Sequence, residues 1–199
     1  MVLSHEFDNA SYRENTARRC YFCKSELFRI LRREADALGL NAIVYGAQKD
    51  DLGEFRPGME AAREFGARAP LLEAGLGKEA IRHLSRELGL PTWNKPAMAC
   101  LASRIPHGMP VLEAELDRVD RADHSVRLQG FRMFRVRARG SEARLEVAQE
   151  EMGRLADTSL RDRVARGILE SGFTSVSFDP QGYRPGGGAA FPNPTDQRG

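Results

Sequence analysis

The stretch Arg132-Met133-Phe134-Arg135-Val136-Arg137-Ala138-Arg139, followed by Gly140-Ser141 and then Glu142-Ala143-Arg144-Leu145-Glu146-Val147, reads as two strands joined by a tight turn. Phe134, Val136 and Ala138 alternate with Arg135, Arg137 and Arg139, and beyond the turn Ala143, Leu145 and Val147 alternate again. Period-two alternation on both sides of a glycine turn predicts a β-hairpin with one apolar face. On the other face the arginines recur roughly every 6.5–7 Å, a row of donors that suits a phosphate-bearing small molecule. Cross-strand pairing with Glu142 or Glu146 is the competing use of that row. Glu146 itself stands between a partner for these arginines and a catalytic acid–base.

Working outward from the hairpin, a helix over about Leu112–Leu128 precedes it. A helix through Leu160, Val164 and Ile168 and a strand Ser175–Phe178 follow, completing a small α/β domain. Upstream the pattern is helical from Glu14 to Leu40, where Leu27, Ile30, Leu31, Ala35 and Leu38 recur at three-to-four spacing. If that helix reaches back to Cys20, then Cys20 and Cys23 share a face. Asn41–Gly46 is a short apolar run that reads as a buried strand, and Ala67–Leu72 as a second. Helices are expected from about Met59 to Phe65 and over Lys78–Leu88, the latter with Ile81, Leu84 and Leu88 inward. Alternating strands and helices predict parallel βαβ units. Gly89–Pro110 carries Pro91, Pro96, Pro106 and Pro110, too many for regular structure, and marks both a loop and a domain boundary. From Pro180 to Gly199 the chain is rich in Gly and Pro, as a frayed tail would be. No internal repeat is present.

Composition narrows the function classes. The chain has 199 residues, of which 29% are charged and 41% hydrophobic, ordinary values for a globular protein. A net charge of +2 gives no basis for generic nucleic-acid binding. No apolar run approaches the roughly 20 residues that cross a bilayer, and Met1–Tyr12 lacks the apolar core of a secretory signal. The expected location is the cytoplasm, where thiols stay reduced, which favours metal or redox chemistry over disulfides.

The three cysteines occupy two segments, Arg19-Cys20-Tyr21-Phe22-Cys23-Lys24 and Ala99-Cys100-Leu101-Ala102-Ser103-Arg104. Cys20 and Cys23 alone fit half a zinc site or two unrelated thiols; a thioredoxin-like pair fits less well, since it should open a helix directly after a strand. Cys100 adds a third thiolate in a proline-bounded loop beside Ser103 and Arg104. Closed zinc sites take four protein ligands, whereas a four-iron cluster can use three and leave one iron open. A second segment, Gly46-Ala47-Gln48-Lys49-Asp50-Asp51 leading to Arg56-Pro57-Gly58, follows a strand end, where α/β proteins bind ligands. Asp50 and Asp51 suit Mg²⁺ and Arg56 a phosphate, with a solvated charged turn as the alternative. His5, His83, His107 and His124 show no metal-ligand spacing, and Trp93 reads as a packing aromatic.

Together these segments resemble the LarE-type ATP-dependent sulfur transferases of the PP-loop superfamily. The resemblance runs from about Glu6 to Gly186. Besides the cysteine segments and Gly46 through Gly58, it includes Leu88-Gly89-Leu90-Pro91-Thr92-Trp93-Asn94-Lys95-Pro96-Ala97, then Cys100 through Pro106. Gly130-Phe131 through Arg137 and Gly182-Tyr183-Arg184 extend it. One version of the family sacrifices the sulfur of a single cysteine; the other uses three cysteines to hold a [4Fe–4S] cluster. This chain resembles the second, with Ala99 at the sacrificial position. The expected fold is α/β: residues 1–108 as the C-terminal portion of a PP-loop ATP-pyrophosphatase domain, 109–185 as a small α/β substrate or oligomerisation domain, and 186–199 as a flexible tail. A Ser-Gly-Gly-x-Asp-Ser loop after a first strand is absent, so the expectation is of a fragment, or of a nucleotide cradle completed by another chain. Pro185, where the family has Ser, is a smaller departure.

The resemblance implies that ATP adenylylates a carboxylate of pyridinium-3,5-dicarboxylate mononucleotide and that sulfide then displaces AMP, in nickel-pincer cofactor biosynthesis. Cys20, Cys23 and Cys100 would carry the cluster. Cys100, Ser103, Arg104 and Glu146 would form the catalytic set. Asp50, Asp51 and Arg56 would serve ATP and Mg²⁺, and Arg135, Arg137 and Arg184 the substrate phosphate. An unknown sulfide donor and a homo-oligomer are implied as well. The alternatives are a tRNA-thiolating enzyme, against which the modest charge and the lack of aromatics among the arginines speak, and a metal-binding remnant without ATP chemistry.

Overall fold

A computed structural model describes residues 2–96 and 99–184. Ala97, Pro185, Gly186 and the tail 186–199, on all of which sequence expectations rest, lie outside them. The chain divides into two compact units, one ending at Lys95 and the other starting at Pro96. Among the described residues no helix is long and apolar enough to cross a membrane.

The first unit is largely helical. Short helix α1 (Ala10–Arg13) and long helix α2 (Arg19–Ala37) are separated by Asn15, a non-glycine residue at φ 54° that breaks the run expected from Glu14. Helices α3 (Pro57–Glu64), α4 (Pro70–Glu73) and α5 (Lys78–Glu87) follow. Phe28 centres the core, packed with Ala35, Ile43, Ala61 and Ala62. Its ring meets Tyr45 edge-on at 5.8 Å and stacks on Phe65 at 6.3 Å.

The expected βαβ units do not form as such. Asn41–Gly46 and Ala67–Leu72 meet in one parallel bridge, Val44 with Arg68, and nothing longer. Pro70 explains the second half of that segment: it has no N–H for a ladder and starts a helix at its first position. The inward face expected of the Lys78–Leu88 helix is also corrected. Leu84 and Leu88 are 41% and 75% exposed, and Leu90 and Trp93 beyond them are exposed too. In α2 likewise, Leu27, Leu31 and Leu38 face solvent, and Phe28 and Ile30 take the buried side.

In the second unit, α6 (Glu113–Leu128) leads into β1 (Phe134–Arg139) and β2 (Glu142–Val147). After α7 (Gln149–Met152) and a 3-10 turn come α8 (Thr158–Glu170) and β3 (Ser175–Phe178). The sheet order is β1-β2-β3, antiparallel then parallel. The hairpin matches its alternation: Val136, Ala138, Ala143, Leu145 and Val147 are buried in one core with Val119, Val126, Val164 and Ile168 from α6 and α8. At Gly167 an added Cβ would lie 2.9 Å from the Ser125 side chain, so the absence of a side chain lets α8 close on α6. Asp157 caps α8 by accepting from the Ser159 and Leu160 N–H groups at 2.9 and 3.2 Å.

The proline-rich loop divides differently from the boundary expected at residue 108. Its second half belongs with the second unit because Ile105 is buried in that unit's core and Leu101 packs against it.

Candidate functional site

The polar side of the hairpin builds the densest group of charges. Arg135, Arg137 and Glu146 are only 8%, 4% and 7% exposed, whereas Arg139 faces solvent. The register sets Arg135 opposite Glu146 and Arg137 opposite Arg144, yet the bidentate pair forms on the diagonal. Arg137 Nε and Nη2 donate to Glu146 at 2.9 and 3.1 Å, and its Nη1 donates to the Ser103 carbonyl at 3.0 Å. Arg137 is thereby neutralised and tied to the Cys100 loop, and Glu146 is its counter-ion.

Arg135 differs. Among the described residues no carboxylate hydrogen-bonds to it. Its Nη2 donates to the Tyr183 hydroxyl at 2.9 Å, and its guanidinium carbon lies 4.6 Å from the centre of the Tyr183 ring. Burial, with the nearby Arg137 and Arg104 cations, pulls its pKa below the ordinary arginine value. The Glu146 carboxylate across the strand offsets part of that shift without bonding Arg135, and an anionic ligand would relieve the rest of the desolvation cost.

Arg104 anchors the Cys100 loop from a second direction. Cys100 is exposed at the start of the 3-10 turn Leu101–Arg104. Arg104 Nη1 donates to the carbonyls of Ala99 and Cys100 at 2.8 and 3.1 Å, and Nη2 pairs with Asp123 at 2.9 Å. The Ser103 hydroxyl donates to the Cys100 carbonyl at 2.7 Å. Asp123 also accepts from the Val136 N–H at 3.2 Å, closing the free edge of β1. Burial raises its carboxyl above the ordinary range, against the pull of Arg104 and the Val136 N–H.

Arg104, Asp123 and Arg135 line a narrow cleft with Arg127, Arg132 and Tyr183, four arginines to one carboxylate. Among the described residues the side chains of Arg127 and Arg132 make no hydrogen bond to protein. Arg184 stays outside this group: it is half-exposed, bonds the Gln181 side chain and lies 3.8 Å from Asp179.

Motif spacing and periodicity give no role to Asp123 or Tyr183. Asp123 carries a legible signal, a carboxylate among Val119, Ala122 and Val126 on the buried stripe of α6. Tyr183 follows the last strand in an irregular segment, where periodicity has nothing to report.

In the first unit, Cys20 and Cys23 both fall on α2, three residues apart, as expected. Cys20 shares a cleft with Lys24, Gly46, Asp51 and Arg56. Asp51 accepts from the Gln48 N–H at 3.0 Å and pairs with Arg56 at 2.9 Å. Asp50 turns elsewhere: it accepts from the Lys78 N–H at 2.7 Å and caps α5. The two adjacent carboxylates thus serve different elements.

None of the three cysteines forms a disulfide among the described residues. By their chemistry thiolates suit iron–sulfur ligation; Cys20 and Cys23 lie on α2 of the first unit and Cys100 at the start of a 3-10 turn of the second. Among the described residues no group of three Cys, His, Asp or Glu gathers at metal-binding spacing.

No protein-family model matches the chain. The uncharacterized protein slr1717 of Synechocystis sp. is 39% identical over 186 residues, which cover 94% of this chain and 69% of that protein. The pyridinium-3,5-bisthiocarboxylic acid mononucleotide synthase of Lactiplantibacillus plantarum is 34% identical over 174 residues, 87% of this chain and 62% of the synthase. The uncharacterized protein MJ0830 of Methanocaldococcus jannaschii is 26% identical over 171 residues, 86% of this chain and 66% of its own length. The chain spans between 62% and 69% of the lengths of these relatives.

Proposed function

From a chain that belongs to the family of slr1717 and is LarE-type by its likeness to the Lactiplantibacillus synthase, we propose a sulfur transferase acting on a pyridinium dicarboxylate mononucleotide in nickel-pincer cofactor biosynthesis. The observation that carries this reading is the buried Arg135, to which no carboxylate hydrogen-bonds among the described residues, in a cleft with three further arginines and only Asp123 as a carboxylate. A phosphate monoester is the anion such a fork takes best. Arg137, held by Glu146, and Arg104, held by Asp123, position the loop that presents Cys100. Ser103 stiffens that loop through the Cys100 carbonyl.

ATP activates the substrate carboxylate as an acyl adenylate, so that AMP leaves when sulfur enters. The first unit is proposed as part of a PP-loop nucleotide domain, with Asp51 and Arg56 beside Gly46 facing Mg²⁺ and phosphate. Asp50 contributes by fixing α5. Cys20, Cys23 and Cys100 would hold a [4Fe–4S] cluster. When bound, that cluster supplies transferable sulfur.

The test incubates the anaerobically iron- and sulfide-loaded protein with pyridinium-3,5-dicarboxylate mononucleotide, ATP and Mg²⁺, followed by mass spectrometry. The reading expects exchange of a carboxylate oxygen for sulfur with release of AMP. An unchanged nucleotide contradicts it, and sulfur appearing instead in bulk tRNA would establish the thiolation alternative.

A further inference from the structure

The strap that follows β3 has no place in the function so far, yet it is built with care. The Asp179 N–H donates to the Leu145 carbonyl and the Tyr183 N–H to the Val147 carbonyl, both at 2.8 Å. The strap therefore continues the pairing with β2 past the end of the regular strand. Asp179 pairs with Arg144 at 2.9 Å and accepts from the Gln181 N–H at 2.8 Å. Gln149 donates to the Gln181 carbonyl at 2.5 Å. Gly182 sits at φ +66°, and a Cβ there would lie 2.6 Å from the Val147 oxygen and 2.7 Å from the Met152 sulfur. Only glycine fits that turn. Its product is the placement of Tyr183 against Arg135.

We infer that Tyr183 is a positioning residue that holds Arg135 ready for a phosphate monoester, and that the strap exists to place it. This rests on the proposed role of the arginine cleft. The two buried arginines of β1 make the argument by contrast. Glu146 satisfies Arg137 by cancelling its charge. Tyr183 satisfies one N–H of Arg135 through a neutral hydroxyl and fixes the plane of the guanidinium with its ring. A neutral phenol partner does not cancel the charge as a bonded carboxylate would, and leaves the remaining N–H groups for an incoming anion. It also removes rotamer freedom that an arginine would otherwise lose on binding.

The experiment titrates the full chain with nicotinate mononucleotide, a pyridinium mononucleotide, and with its dephosphorylated riboside, for wild type, Tyr183→Phe and Tyr183→Ala. Wild type should prefer the nucleotide. Tyr183→Phe keeps the ring and loses the hydroxyl, and should weaken nucleotide binding about fivefold. Tyr183→Ala should weaken it at least about tenfold, with riboside binding unchanged in both variants. A merely structural role would weaken nucleotide and riboside alike, and that outcome overturns the inference, as does unchanged nucleotide binding in Tyr183→Ala. If wild type itself shows no preference for the phosphate-bearing compound, the reading of the cleft fails, and the positioning role falls with it.

Discussion

Arg135 and Arg137 stand two residues apart on one strand face, yet their surroundings assign them opposite roles. Arg137 belongs to a closed ion pair, so Glu146→Leu, which leaves a buried cation alone, should cost about 3–5 kcal/mol in denaturant unfolding. The double variant Arg137→Met/Glu146→Leu should recover most of that loss, because two charges leave the interior together. Arg135→Met should behave differently. Without ligand it removes a buried cation that no carboxylate hydrogen-bonds, so stability should stay within about 1 kcal/mol of wild type or rise, while nucleotide affinity falls. Equal destabilisation by Arg135→Met and Glu146→Leu would show that Arg135 is a structural group. Alternation along the strand identified this arginine row but not this division. The division depends on which carboxylate, carbonyl or hydroxyl each side chain meets: Glu146 lies within the hairpin and pairs on the diagonal, whereas Ser103 and Tyr183 lie far from it in sequence.

At the scale of elements, the strap and the α5 cap each give a measurable prediction. Gly182→Ala should destabilise by at least about 2 kcal/mol, from the left-handed backbone and the approach to Val147. Asp50→Ala should cost about 0.5–2 kcal/mol as the loss of a helix cap, by the same amount with and without Mg²⁺. A stability loss seen only with Mg²⁺ present would make Asp50 a metal ligand instead. The elements of the second unit were legible because each carries its own period: two in β1 and β2, about 3.6 in α6 and α8, with glycine at the turn. The first unit was less legible. Short apolar runs such as Asn41–Gly46 look like buried strands whether or not a partner extends the ladder, and here only Val44 and Arg68 pair. Periodicity in α5 likewise marks an apolar face without saying what covers it, and Leu84 and Leu88 are exposed.

At the scale of the whole molecule, each unit has its own core, Phe28 centring one and the hairpin's apolar face the other. The three thiols are divided between them, Cys20 and Cys23 in the first unit and Cys100 in the second. Spacing along the chain disclosed the helical pair and the loop cysteine as separate signals. Their joint use is a claim about chemistry that no local pattern contains. The proposed function has these three thiolates serving as ligands of one iron–sulfur cluster. The direct measurement is iron and acid-labile sulfide per chain after anaerobic reconstitution, for wild type and for each single Cys→Ala variant. The account predicts about four irons in the wild type and loss of the bound iron in Cys20→Ala, Cys23→Ala and Cys100→Ala alike. Stoichiometric zinc in a colourless protein, or iron retained in full by Cys100→Ala, would contradict it.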